Sequence, residues 1–305
     1  MKLDDNLLAI AATQRGMFTT SQARGVGLDR KGLTAAVACR LLLHPARGLY
    51  AVAHLVDTDP AVWHGHLATG AHLIYENAAL TGVTAVLAHD LPVWGCPLDR
   101  PAIARETARR VGTKPFRVRP REMGRTVESP WGPTVPLADA LVQLAVDHGI
   151  VQGVVSADAA LHRKLVTVDE LTAAVASVEH WPRSSRPRAM LTFVDPQCES
   201  VAESRARVEF LTHGIRVVSQ VVVRRRDGSM IGRADFGVEG TDVLVEIDGK
   251  VKYADGDPEV LWREKRREDD MRAEGKIFVR VTWADLEVSG RASAKVRRAL
   301  RDRAA

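Results

Sequence analysis

The chain has 305 residues, 46% of them apolar and 27% charged, with a formal net charge of +5. That length accommodates two or three domains, the apolar share is ample for packed cores, and the mild basic excess favours a polyanionic partner. No apolar run reaches the roughly 18 residues of a membrane span, residues 1–15 carry no basic-apolar-small leader pattern, and the three cysteines, Cys39, Cys96 and Cys198, show neither zinc spacing nor a disulfide framework. A reducing cytoplasm is the simple expectation.

Apolar Leu7, Leu8, Ile10 and Ala11 predict a helix over 3–14. A short second helix starts in Phe18-Thr19-Thr20-Ser21, with Thr19 or Thr20 as hydroxyl cap. Gly25-Val26-Gly27 turns the chain, and Asp29 caps a third helix over 30–40. His44-Pro45-Ala46-Arg47-Gly48 reads as a tight turn before a strand at 49–52. Helices and ribbon in this order describe a winged helix-turn-helix. The run from Met17 to Val52 resembles the amino-terminal domain of AbiEi-type antitoxins. That resemblance implies a third helix in the major groove of DNA. Arg30, Lys31, Thr34 and Arg40 would face the duplex, with Arg47 on the wing. Such side chains supply phosphate contacts, and base reading is limited to one or two of them. A helical module that binds protein is the alternative.

The middle of the chain is less informative. Helices are expected over 61–72, 80–89, 137–148, 151–161 and 168–178, the last capped by Thr167. Residues 101–118 hold short strand-like pieces broken by Gly112 and Pro115. His54, His64, His66, His72 and His89 lack metal-ligand spacing and read as surface or capped histidines. Asp158 reads as a polar core or cap residue, and 181–187 as a linker. The region resembles the middle part of AbiEi-like antitoxins.

A helix is expected over 199–213, with Glu199 and Glu203 on one face. Strands follow at 219–225 and 230–238, joined through Asp227-Gly228. In the next strand Leu244, Glu246, Asp248 and Lys250 alternate with Val243, Val245 and Ile247, so the first set shares one face. A hairpin turn through Glu239-Gly240-Thr241-Asp242 would bring Asp235 beside Glu246 or Asp248. Carboxylates on a buried strand are costly unless paired or bound to metal. A helix over 258–274, a strand over 276–283 and a basic helical tail over 291–303 complete the chain.

The order helix, three strands, helix, strand, together with this acidic strand, resembles the PD-(D/E)xK nuclease superfamily, closest to its branch related to very short patch repair endonucleases. The resemblance covers 196–289. It implies a restriction-endonuclease-like αβββαβ fold and a Mg²⁺ or Mn²⁺ site made by Asp235 and by Asp248-Gly249-Lys250 as (D/E)xK. Glu203, or otherwise Glu199, is the implied helix carboxylate. Ala234 stands where the family has proline. Glu246 adds a carboxylate, so the register Glu246-Ile247-Asp248, with Lys250 displaced, stays open. Hard oxygen ligands suit these metals, and Lys250 would orient or deprotonate water.

The expectation is an α+β multidomain protein. It comprises a winged helix-turn-helix at 1–55, a helical or mixed middle region at 56–190 and a nuclease-like core at 191–305. The expected function is Mg²⁺-dependent cleavage of DNA, in defence or repair, with Asp235, Glu246, Asp248, Lys250 and Glu203 as site residues. The alternative is a DNA-binding antitoxin or autorepressor with an inactive nuclease-like domain. DNA is the expected partner, with no membrane and with a toxin or a second copy as further candidates.

Overall fold

In the computed structural model, Asp4 accepts the amides of Asn6 and Leu7 and starts α1 (Asp5–Thr13). The structure describes residues 2–75, 77–106, 112–113, 115–120, 124–248 and 258–304. They group into two compact units, Met1–Gly153 with Val166–Arg188, and Val154–Leu165 with Ala189–Ala305.

In the first unit α1 is followed by β1 (Met17–Thr19), α2 (Thr20–Gly25), α3 (Arg30–Ala38), β2 (Leu42–Ala46) and β3 (Leu49–Val52). Thr19 and Gln22 cap α2 reciprocally, and Asp29 caps α3 through the Gly32 amide. Leu7, Phe18, Leu33, Leu42 and Val52 form the core beneath a sheet of order β1-β3-β2. Two details differ from expectation. Met17–Thr19 is a strand, because Phe18 is needed in the core and pairs with Tyr50 on β3. The tight turn shrinks to Arg47 and Gly48, since β2 runs through His44 and Pro45, with Gly48 at φ 83°.

Next come α4 (Pro60–Ile74), β4 (Ala78–Leu80), α5 (Gly82–Ala88), β5 (Ala102–Arg105), β6 (Gly112–Thr113), β7 (Phe116–Pro120) and α6 (Leu137–His148). Their sheet has the order β4-β5-β7-β6. Leu80 belongs to a strand, so the helix expected from that residue starts two positions later. The surface reading of the histidines is corrected at two sites. His64 is fully buried and His66 nearly so. The Nδ1–H of His64 donates to the Leu98 carbonyl at 2.8 Å, and the Thr84 hydroxyl, 2.9 Å away, donates to its Nε2. Burial pulls the His64 pKa down, which keeps the ring neutral.

Three helices follow: α7 (Ile150–His162), α8 (Val168–Ser177) and α9 (Ser185–Phe193). The expected linker therefore ends in helix. Pro187 is tolerated there because a first-turn amide has no intrahelical partner to lose.

The second unit contains α10 (Val201–Thr212), β8 (Val217–Arg224), β9 (Met230–Val238), β10 (Val243–Asp248), α11 (Pro258–Ala273), β11 (Ile277–Thr282), α12 (Trp283–Leu286) and α13 (Arg291–Ala304). The sheet order is β11-β10-β9-β8, with β8, β9 and β10 antiparallel and β10 parallel to β11. A parallel neighbour demands a long crossover, and α11 lies in it. One face of the sheet buries Phe236, Val243, Val245, Ile247 and Val281 with Phe210 and Val296. The other buries Val223, Ala234 and Leu244 with Met271. Among the described residues, no helix of either unit is long and apolar enough to cross a membrane.

Asp158 is fully buried in the second unit and its Oδ1 accepts the Asp195 amide at 2.7 Å. Burial pushes its carboxyl from 3.8 to about 7. The folded state thus holds a proton that the unfolded chain releases, and stability falls as pH rises between those two values. Asp158→Asn can accept the same amide without ionising. Thermal melts should show the wild type losing stability relative to this variant from pH 4 to pH 7, on the order of a few kcal/mol; parallel curves would contradict it.

Candidate active site

The acidic residues of the second unit come from α10, β9 and β10. Ser200 caps α10 by accepting the Glu203 amide at 3.2 Å, and its hydroxyl donates back to Glu203 Oε1 at 2.7 Å. Glu203 Oε2 accepts the Glu199 amide at 3.0 Å and the Gln220 side-chain amide at 2.9 Å. Glu203 is buried, and burial is the first cause that raises its carboxyl above the ordinary value; the nearby charge of Asp235 raises it further. Glu199 instead pairs with Arg233 at 2.8 Å.

The β9–β10 ladder pairs Leu244 with Gly237 and Val245 with Phe236. Continuing that register sets Asp235 opposite Glu246. There the carboxylate replaces the backbone acceptor, and Asp235 Oδ2 takes the Ile247 amide at 2.6 Å. Glu246 is 8% exposed and accepts Arg267 Nη2 at 3.2 Å. Asp248 Oδ1 accepts Arg280 Nη1 at 3.3 Å, and Arg280 also holds Glu268 at 2.6 Å. Asp235, Glu246 and Asp248 thus lie on two adjacent strands as expected, with Glu203 electrostatically coupled to Asp235. Lys250 and Gly249 lie outside the described residues.

Sequence reasoning missed Gln220. Ser219 pairs with Phe236 and Val221 with Ala234, so Gln220 stands opposite Asp235. Its φ is 55°, a left-handed conformation inside a strand, where a non-glycine residue costs on the order of 1 kcal/mol or more. The strand changes face at this point. Val217 packs with Phe236, whereas Val221 and Val223 pack with Ala234 and Leu244; on a regular strand all three valines would share a face. β9 changes face at Asp235 in the same way. The kink aims the Gln220 amide at Glu203 and leaves Asp235 at the point where both strands turn over.

These carboxylates are hard oxygen donors of the type that binds Mg²⁺ or Mn²⁺, and the coupling of Glu203 to Asp235 fits a shared cation. Among the described residues, however, no three potential ligands already stand grouped as a metal site. Arg267 and Arg280 neutralise Glu246 and Asp248 instead. A cation that used all the carboxylates would displace those two guanidinium groups.

In the first unit Arg30, Lys31, Thr34, Arg40 and Arg47 are all exposed. Arg30, Lys31 and Thr34 line a shallow cleft on α3 with Ala35, Ala38 and, from α2, Arg24. Arg24 was not anticipated; its place in the last turn of α2 was the available signal. Arg40, at φ 57°, lies past the end of α3, and Arg47 is in the β2–β3 turn. A scan of protein-family models matches no family, and a search of curated proteins gives no match to this chain.

Proposed function

We propose that the protein binds DNA through its amino-terminal helices and hydrolyses phosphodiester bonds at the acidic centre, with Mg²⁺ or Mn²⁺. The observation that carries the reading is the register that sets Asp235 opposite Glu246 on adjacent strands, with Glu203 electrostatically coupled to Asp235, within a helix–three strands–helix–strand unit, the arrangement expected of a PD-(D/E)xK nuclease. When bound by Asp235, Glu246 and Asp248, the metal supplies positive charge that acidifies water and offsets charge on the phosphate. Burial raises the basicity of the Glu203 carboxylate, which suits it to take a proton from water. Arg267 and Arg280, once freed from their carboxylates, are placed to contact phosphate oxygens. Lys250 would orient or deprotonate that water.

The arginine pairs on Glu246 and Asp248 favour a second reading, a DNA-binding autorepressor of the antitoxin type whose acidic unit does not cut. Supercoiled plasmid incubated with Mg²⁺, Mn²⁺ or EDTA separates the two. Nicking that needs metal is the expected result, and an intact plasmid with retained DNA binding supports the repressor. Either way, Arg30→Ala with Arg47→Ala should weaken duplex binding roughly tenfold or more at moderate salt and lower its salt slope by about 2. Unchanged mobility shifts would assign the helical module to another partner.

A further inference from the structure

A second cleft lies in the first unit, with a volume of about 690 Å³, lined by β7, the end of α6 and the turn at 181–183. Volumes of roughly 300–1,000 Å³ hold small organic ligands. Asp147 grips Arg119 Nη2 with both carboxylate oxygens at 2.6 Å and stands 3.7 Å from Arg117. So fixed, the Arg119 guanidinium lies over the Trp181 ring, 5.2 Å from its centre. Arg183 occupies the adjoining turn with φ 67° and is exposed, as is Arg117. Among the described lining residues, three arginines therefore outnumber the one carboxylate.

This division of labour identifies a ligand chemistry. Arg119 lies over Trp181 and is held by an ion pair in which both Asp147 oxygens meet its Nη2, so the Arg119–Trp181 layer offers a stacking wall. Arg117 and Arg183 keep exposed forks beside it, which match the oxygens of a phosphate. A concave site with excess positive charge also concentrates anions. We propose that this cleft binds a nucleoside phosphate, its base against the Arg119–Trp181 layer and its phosphate on Arg117 and Arg183. A free mononucleotide and the terminal nucleotide of a strand share this chemistry. The site is independent of the acidic centre and needs no divalent metal.

Calorimetry on the full-length protein without divalent metal tests it, with AMP, adenosine, inorganic phosphate and a short 5′-phosphorylated oligothymidylate as probes. AMP or the oligonucleotide should bind with Kd below about 1 mM, and adenosine and inorganic phosphate at least about tenfold more weakly. If the oligonucleotide binds tighter and displaces AMP, the strand end is the source; the reverse order assigns a free nucleotide. Arg117→Gln with Arg183→Gln, and Arg183→Gln alone, should weaken binding, the pair by roughly tenfold or more, while Asp235→Asn leaves it unchanged. Both arginines are exposed, so the fold should persist, as circular dichroism would show. No binding of either nucleotide probe, binding indifferent to the arginines, or phosphate as tight as AMP would each overturn the proposal.

Discussion

Asp235→Asn should remove metal-dependent DNA cleavage while the protein stays folded. The rate loss should exceed the roughly 10–100-fold that changes outside the first ligand shell produce. Asparagine retains an oxygen that can accept the Ile247 amide, the bond that Asp235 makes at 2.6 Å. It removes the charge that a cation would use and that raises Glu203. Loss of activity with a melting temperature within a few degrees of wild type would therefore separate chemistry from architecture. Glu246→Gln addresses the register question left by the extra carboxylate. A variant as inactive as Asp248→Asn places both residues on the metal, and one close to full activity leaves Asp248-Gly249-Lys250 as the working motif. Cleavage that survives Asp235→Asn combined with Asp248→Asn would place the activity elsewhere.

Phe236→Ala should be the most damaging substitution in the second unit. Phe236 is fully buried and meets Phe210 edge-on, with centroids 6.0 Å apart. It is also the last residue of β9 paired with β10 before Asp235. Truncating a buried phenylalanine costs about 3–5 kcal/mol, and loss of the aromatic pair is part of that figure. Chemical denaturation should show this loss, and metal-dependent cleavage should fall with it because the cavity opens beside the kink that positions Asp235. A loss under about 1 kcal/mol would mean the core collapses around the gap.

Much of the second unit was legible in the sequence because its patterns are strong. The limits of β9 follow from a hairpin signal before it and a turn after it, and those of α6 in the first unit from its apolar period and Gly149. The shared face of Glu246 and Asp248 follows from strand alternation alone. The kink at Gln220 does not. Strand alternation assumes regular backbone, and a glutamine gives no sign that it adopts a left-handed conformation. The faces of β8 and β9 beyond that point could not be assigned from spacing. Buried His64 escaped for a related reason. Its partners, Leu98 and Thr84, are distant in sequence, so nothing local distinguishes it from an exposed histidine. Very short strands such as β1 and β4 were missed because three residues carry too little periodicity to register.

The proposed cleavage depends on a divalent cation held by Asp235, Glu246 and Asp248. Titrating Mn²⁺ into the full-length protein by calorimetry tests it most directly. Saturable binding at millimolar concentration or below is expected, with a melting temperature that climbs with added metal by mass action, and both should be lost in Asp235→Asn with Asp248→Asn. No heat of binding and no change in melting temperature at millimolar Mn²⁺ or Mg²⁺, or binding that the double variant retains, would contradict it.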